Sequence, residues 1–245
     1  MAKNSDPASA PRKSEAADPR ARIIDALLGL AVEQPFEDIT ISAIAAKAGV
    51  TLADFRDAFP SKGAVLGGFS RRIDRIVLEK PSDDLAGEEA KDRLFDVLMR
   101  RLDAMAPYKE GLRGVARWLR REPLAAIAVN QVVVNSMRFM LEAAGVDSEG
   151  AVGALKLQGL AMAWARVLDV WFEDDEPDQA KTMAALDREL TRGGRIVARA
   201  ESLDRLAAPL KALGRAVFET RRRARDAFRE RGRRRDDDDE RAHRL

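Results

Sequence analysis

Side chains able to do chemistry are few in this sequence, and their types narrow the options early. Cysteine is absent, and the lone histidine, His243, stands near the carboxyl end. No thiol nucleophile, disulfide or cysteine metal site can form, and neither a Ser-His-Asp set nor a histidine-rich metal site is expected. The glycines are scattered, so no phosphate-cradling loop is expected. The acid run Glu173-Asp174-Asp175-Glu176 reads as a solvated linker. No catalytic centre, metal or cofactor is therefore expected. What remains is a set of hydroxyls and cations in residues 40–66: Thr40, Lys47, Thr51, Arg56 and Lys62. Such groups bond to phosphate oxygens and base edges, the chemistry of nucleic-acid contact.

Those residues need elements to hold them. Thr40 is placed to cap a short helix, with Ile41, Ile44 and Ala45 at helical spacing on one face. Ala48-Gly49-Val50 breaks that helix, because Gly49 tolerates a turn conformation that a side chain resists. Thr51 caps a second helix, whose inward residues are read as Leu52, Phe55 and Phe59. Pro60 ends it, and Ser61 caps a third. Two short helices on a glycine turn are the helix-turn-helix plan, in which the second helix enters a DNA major groove. Asp54 and Asp57 put two carboxylates on that helix and oppose phosphate.

Residues 23–66 resemble the DNA-binding head of TetR-type regulators. The resemblance rests on an apolar first helix, on Ile39-Thr40, Ile44-Ala45 and Ala48-Gly49-Val50-Thr51 at the family's spacing, on the aromatic Phe55, and on Phe59-Pro60-Ser61-Lys62 before a helix. It implies an all-α protein, with a three-helix DNA-binding head and a carboxyl-terminal helical domain for ligand and dimerisation. It also implies DNA contact through Thr40, Lys47, Thr51, Leu52, Arg56 and Lys62. The sequence departs from the family at Arg56, where an aromatic hydroxyl is usual, and at Ala58, where His or Tyr is common.

The rest of the chain reads as helices too. With 46% hydrophobic residues a sizeable core can be buried, and a net charge of +2 makes the placement of charge matter more than its size. Domains are expected at 1–18 (disordered tail), 19–80 (helix-turn-helix domain), 86–200 (ligand-binding and dimerisation domain), 201–230 (basic amphipathic helix) and 231–245 (disordered charged tail). Gly67-Gly68 should weaken the helix that joins head to body, and Gly193-Gly194 should kink a later one. The apolar run 124–144 is interrupted by Asn130, Gln131, Asn135, Arg138 and Glu142, which suits a core helix beside a cavity better than a membrane span. Flexible methionines and large aromatics suggest a variable pocket lined by Trp118, Val133, Met137, Met140, Leu160, Trp164 and Trp171.

Residues 101–109, RLDAMAPYK, and 171–190, WFEDDEPDQAKTMAALDREL, resemble the carboxyl-terminal domain of the ubiquinone-biosynthesis accessory family. That resemblance implies an isoprenoid-binding apolar cavity, a terminal helix used on membranes, and no enzymatic activity. The leading expectation is a homodimeric, cytoplasmic DNA-binding regulator, a repressor relieved by an apolar small molecule. The alternative is a lipid-binding accessory protein that has lost DNA. A third expectation is peripheral membrane contact through the terminal helix, although its row Leu203, Leu206, Leu210, Leu213 and Val217 is expected to pack on protein. The arginine-rich block beyond that row is then left as a weak polyanion contact.

Overall fold

The computed structural model describes residues 18–79, 87–200 and 202. The amino-terminal tail through residue 17, the 80–86 boundary, the Leu203–Val217 row, the arginine block and His243 lie outside them. The described residues form helices, with no strand among them. Those up to Gly194 make one compact unit, and those from Arg195 belong to a second and are helical.

Side-chain caps set the starts of the first four helices. Helix α1 (Pro19–Glu33) begins where Asp18 accepts from the Arg20 amide at 3.0 Å and where Pro19 has no amide to satisfy. Next come a 3-10 turn (Phe36–Asp38), α2 (Ile41–Ala48), α3 (Leu52–Ala58) and α4 (Lys62–Leu78). The body follows with α5 (Ala90–Met105), a 3-10 turn (Ala106–Tyr108), α6 (Lys109–Leu119), α7 (Pro123–Ala143) and α8 (Gly150–Glu173). Residues 180–194 are helical as well, Gly193 and Gly194 included, so the expected kink does not interrupt the helix there.

α1 is shared between the two halves of this unit. It packs on α2, α3 and α4 and, on the body side, on α6. The α1–α6 contact is unusually close. A Cβ built on Gly111 would lie 2.4 Å from the Leu28 carbonyl oxygen, and one on Gly114 would lie 2.4 Å from that of Ala31. α4 also joins the halves by packing on α5 and α7. Its Gly67-Gly68 pair does not break it. A Cβ on Gly68 would meet the Phe59 ring at 2.6 Å, so glycine there makes room for the aromatic that closes the head.

Burial corrects several expectations. Val32, Ile41, Leu52, Ile76 and Ile127 are exposed, because their helices' apolar stripes are wider than the faces their neighbours cover. α7 is not a core helix along its length: Ser136, Met137, Met140 and Leu141 are buried, whereas Leu124 is 82% exposed. By length and composition, with a mean hydropathy of 1.4, α7 could cross a membrane, yet it packs on α4, α5 and α8. The acid run after α8 is not merely a solvated linker either. Asp174 is buried and accepts from the Thr182 amide at 2.8 Å and hydroxyl at 2.7 Å. The Thr182 hydroxyl holds the Asp174 carboxyl below the usual carboxylate range.

Candidate nucleic-acid interface

The turn between α2 and α3 is fixed by backbone chemistry. Thr40 Oγ1 accepts from the Ala43 amide at 3.1 Å and starts α2. Gly49, at φ 62 and ψ 41, ends it in the left-handed conformation that glycine adopts without a Cβ penalty. Thr51 then opens α3 through a reciprocal capping box. Its hydroxyl accepts from the Asp54 amide at 3.1 Å, and its own amide donates to Asp54 Oδ2 at 3.0 Å. The Thr51 hydroxyl, 2.7 Å from the same oxygen, is the main cause holding the Asp54 carboxyl below its ordinary range. Asp54 is thus an ionised helix cap, placed where the α3 macrodipole favours negative charge. Phe55 alone among α3 residues is buried, leaving Leu52, Ala53, Arg56 and Asp57 facing solvent.

The cations of this region have unequal freedom. Lys62 Nζ donates to the carbonyls of Phe36 at 2.6 Å, Ile39 at 2.9 Å and Glu37 at 3.4 Å, and stands 4.6 Å from the Phe36 ring centroid. Burial pulls its ammonium below the ordinary lysine range, with Glu37 and Asp38 pushing the other way. These bonds close the 3-10 turn onto α4, a task the sequence did not suggest for this lysine. Lys47 pairs with Glu33. Arg56 lies exposed on α3, and among the described residues its bond is to the Pro60 carbonyl at 3.4 Å. Arg22, not singled out in the sequence, donates to the carbonyls of Ala48 and Gly49 at 3.1 Å each and binds α1 to the turn.

Lys62→Met is accordingly expected to loosen the head more than to weaken phosphate contact. The predicted loss is about 1–2 kcal/mol, the low end for bonds to a charged donor because the ammonium keeps some solvent. Urea unfolding checks it; an unchanged midpoint would return Lys62 to the phosphate-contact role.

Helix order and packing find counterparts among solved structures. The TetR transcriptional regulator from Nitrosomonas europaea ATCC 19718 superposes with a TM-score of 0.57 at 23% identity, over 71% of this chain and 97% of that one. This is the TetR-type fold. A TetR transcriptional regulator from Rhodococcus sp. RHA1 gives a TM-score of 0.51 at 19% identity, over 71% and 95% of the two chains. No protein-family model and no curated protein matches the sequence.

In this TetR-type fold the seven residues proposed to line a pocket separate into two groups. Met137, Met140, Leu160, Trp164 and Trp171 are buried in one continuous hydrophobic core, with Val133 half-buried against it. Trp118 instead packs on Phe36, ring centroids 4.5 Å apart, and lines an open cleft of about 370 Å³ beside α1. The core also holds polar residues that the sequence reading missed. Arg101 on α5 pairs with Asp74 on α4 and donates to Ser70 at 3.3 Å, while Ser136 on α7 donates to Asp74 at 2.6 Å. The guanidinium carbon is 5.7 Å from the Trp164 ring centroid. The one available signal was Ser70 and Asp74, four apart within the apolar face of α4, and so on the same side of it.

The segments 101–109 and 171–190 meet in space. Lys109 donates to the Asp174 carbonyl at 2.7 Å, and Gln179 donates to Asp103 at 3.2 Å. Arg113, four residues beyond Lys109, donates to the Phe172 carbonyl. These cations cover the carboxyl end of α8, where the macrodipole is negative.

Proposed function

We propose that this protein is a DNA-binding transcriptional regulator that inserts α3 into the major groove and works as a homodimer. The observation that carries the reading is the capped helix-turn-helix. Gly49 and the Thr51–Asp54 box fix α3 on Phe55, while Leu52, Ala53 and Arg56 stay open to a partner. Thr40 stands at the start of α2, where its hydroxyl accepts from the Ala43 amide and keeps its own proton for a phosphate oxygen, whereas Thr51 gives its amide and hydroxyl to Asp54. A dimer places two such helices on half-sites about 34 Å apart. The outward face of α8, where Leu155 and Met162 are exposed, offers a surface for the second copy.

The charge of the head makes the reading quantitative. Residues 18–79 hold eight Lys or Arg against nine Asp or Glu, and Lys62, Lys47 and Arg22 already serve internal partners. The log–log salt slope should therefore be shallow, each phosphate contact adding about −0.9. Fluorescence anisotropy with DNA from upstream of the protein's own coding sequence tests this. Arg56→Ala should weaken binding by about 1–3 kcal/mol, and light scattering of the same samples should give twice the chain mass. Loss of any salt-sensitive binding would move the protein to the second reading.

That second reading is a lipid-binding accessory protein of quinone synthesis with a head that no longer holds DNA. One observation favours it beyond the scarcity of free cations. The first turns of α7 present Leu124 and Ile127 to solvent at 82% and 63% exposure. A repressor controlled by an apolar ligand remains the preferred form of regulation, because Met137 and Met140 give the body adaptable apolar packing beside the buried Arg101.

A further inference from the structure

The cleft beside Trp118 has the makings of a binding site of its own. Its volume, about 370 Å³, falls in the range of small-molecule sites. One wall comes from the end of α1 and the turn after it, with Val32, Pro35 and Phe36; the other comes from α6, with Arg117 and Trp118, and from the turn after it, with Arg121. The Phe36 and Trp118 rings lie at 38° to each other. Phe36 is buried, whereas Trp118 is half-buried and keeps part of its indole open to the cleft. Val32, 58% exposed, adds an apolar edge.

Charge decides what such a surface would prefer. Glu33 is held by Lys47, and Glu37 faces Arg121 at 3.7 Å. Arg117 is exposed and has no hydrogen bond or ion pair among the described residues. The cleft thus combines an aromatic platform with one uncompensated guanidinium, a planar donor suited to a carboxylate. We propose that it binds a planar aromatic monoanion of the arene carboxylate class, with the ring on Trp118 and the carboxylate on Arg117.

The location gives such a ligand leverage on the head. Phe36 touches both Trp118 and Lys62, and its carbonyl is one of the three that Lys62 holds. The Phe36–Asp38 turn leads directly to Thr40 and α2. A ligand seated on Trp118 would bear on the turn that sets where α2 and α3 begin. That regulatory consequence rests on the proposed function, whereas binding itself does not.

The test uses the full chain without DNA. Titration calorimetry with 2-naphthoate should give saturable binding, and its neutral partner 2-naphthamide should bind at least about tenfold more weakly, as expected for loss of a charge-assisted contact. Arg117→Gln, at an exposed position, should weaken naphthoate by a similar factor and leave the amide unchanged. Trp118→Phe should weaken both. Equal affinity for acid and amide, full affinity in Arg117→Gln, or no binding of naphthoate up to its solubility would each overturn the proposal. If naphthoate binds as described but leaves the anisotropy titration with DNA unaltered, the site stands and the regulatory reading fails.

Discussion

Asp74→Ala is expected to destabilise the fold by about 3–5 kcal/mol, a large share of the stability of a domain this size. Asp74 and Arg101 are both buried, at 8% and 5% exposure, so removing the carboxylate strands a guanidinium where water cannot reach it. Ser136, 1% exposed, loses the acceptor of its hydroxyl in the same step. Arg101 already carries a burden: its Nε is buried without a partner among the described residues, and burial pulls the guanidinium below its ordinary range while Asp74 pushes back. The pair is therefore costly to hold and costlier to break. Replacing both partners with apolar residues, Asp74→Leu with Arg101→Met, should recover most of the loss. Urea unfolding of the two single variants and the double variant measures this. A loss under about 1 kcal/mol in Asp74→Ala would mean that water enters the site and screens Arg101.

The ion pair also has a structural consequence. Asp74 lies on α4, the helix that leads out of the helix-turn-helix, while its partners lie on α5 and α7. A directional bond at that point fixes the position of α4 along its neighbours, which apolar packing alone would leave adjustable. The double apolar variant would thus retain stability and relax the placement of the head, visible as faster amide exchange in α2 and α3.

Gly114→Val should have the second largest effect, and its sign opposes simple helix propensity. Within an isolated helix, replacing glycine relieves a backbone entropy cost of about 0.5–1 kcal/mol, although β-branching offsets part of that gain. Here the added Cβ would lie 2.4 Å from the Ala31 carbonyl oxygen, a backbone atom that cannot rotate aside. α6 would have to lift from α1, opening the contact beside Phe36 and Trp118. The expected result is a loss at the upper end of about 1–3 kcal/mol, seen as a lower urea midpoint. Gly111→Val should behave alike, since its Cβ meets the Leu28 carbonyl at the same distance. A gain in either variant would show that α1 and α6 do not approach so closely in solution.

How much of this was legible beforehand depended on the distance between partners along the chain. The caps at Thr40, Thr51 and Ser61 and the left-handed Gly49 act within three or four residues, so the sequence alone determined them and, with them, the helix-turn-helix. Helical periodicity likewise determined an all-α chain and placed Ile23, Leu27, Phe55, Met137 and Trp164 inside. Tertiary structure alone decided how the polar groups are used. Lys62 finds its acceptors 23–26 residues away, Arg22 reaches carbonyls 26–27 residues on, and Ser136 meets an aspartate 62 residues earlier. Lys62 and Arg56 look equivalent in a one-dimensional reading, yet one closes a turn and the other faces solvent. The same holds for glycine: at Gly49 the backbone angle explains the residue, whereas at Gly68, Gly111 and Gly114 only a neighbouring ring or carbonyl does. Local hydrogen bonds and periodicity are written in adjacent residues; the partners of a long charged side chain, and the space left by a missing Cβ, are set by which helices pack together.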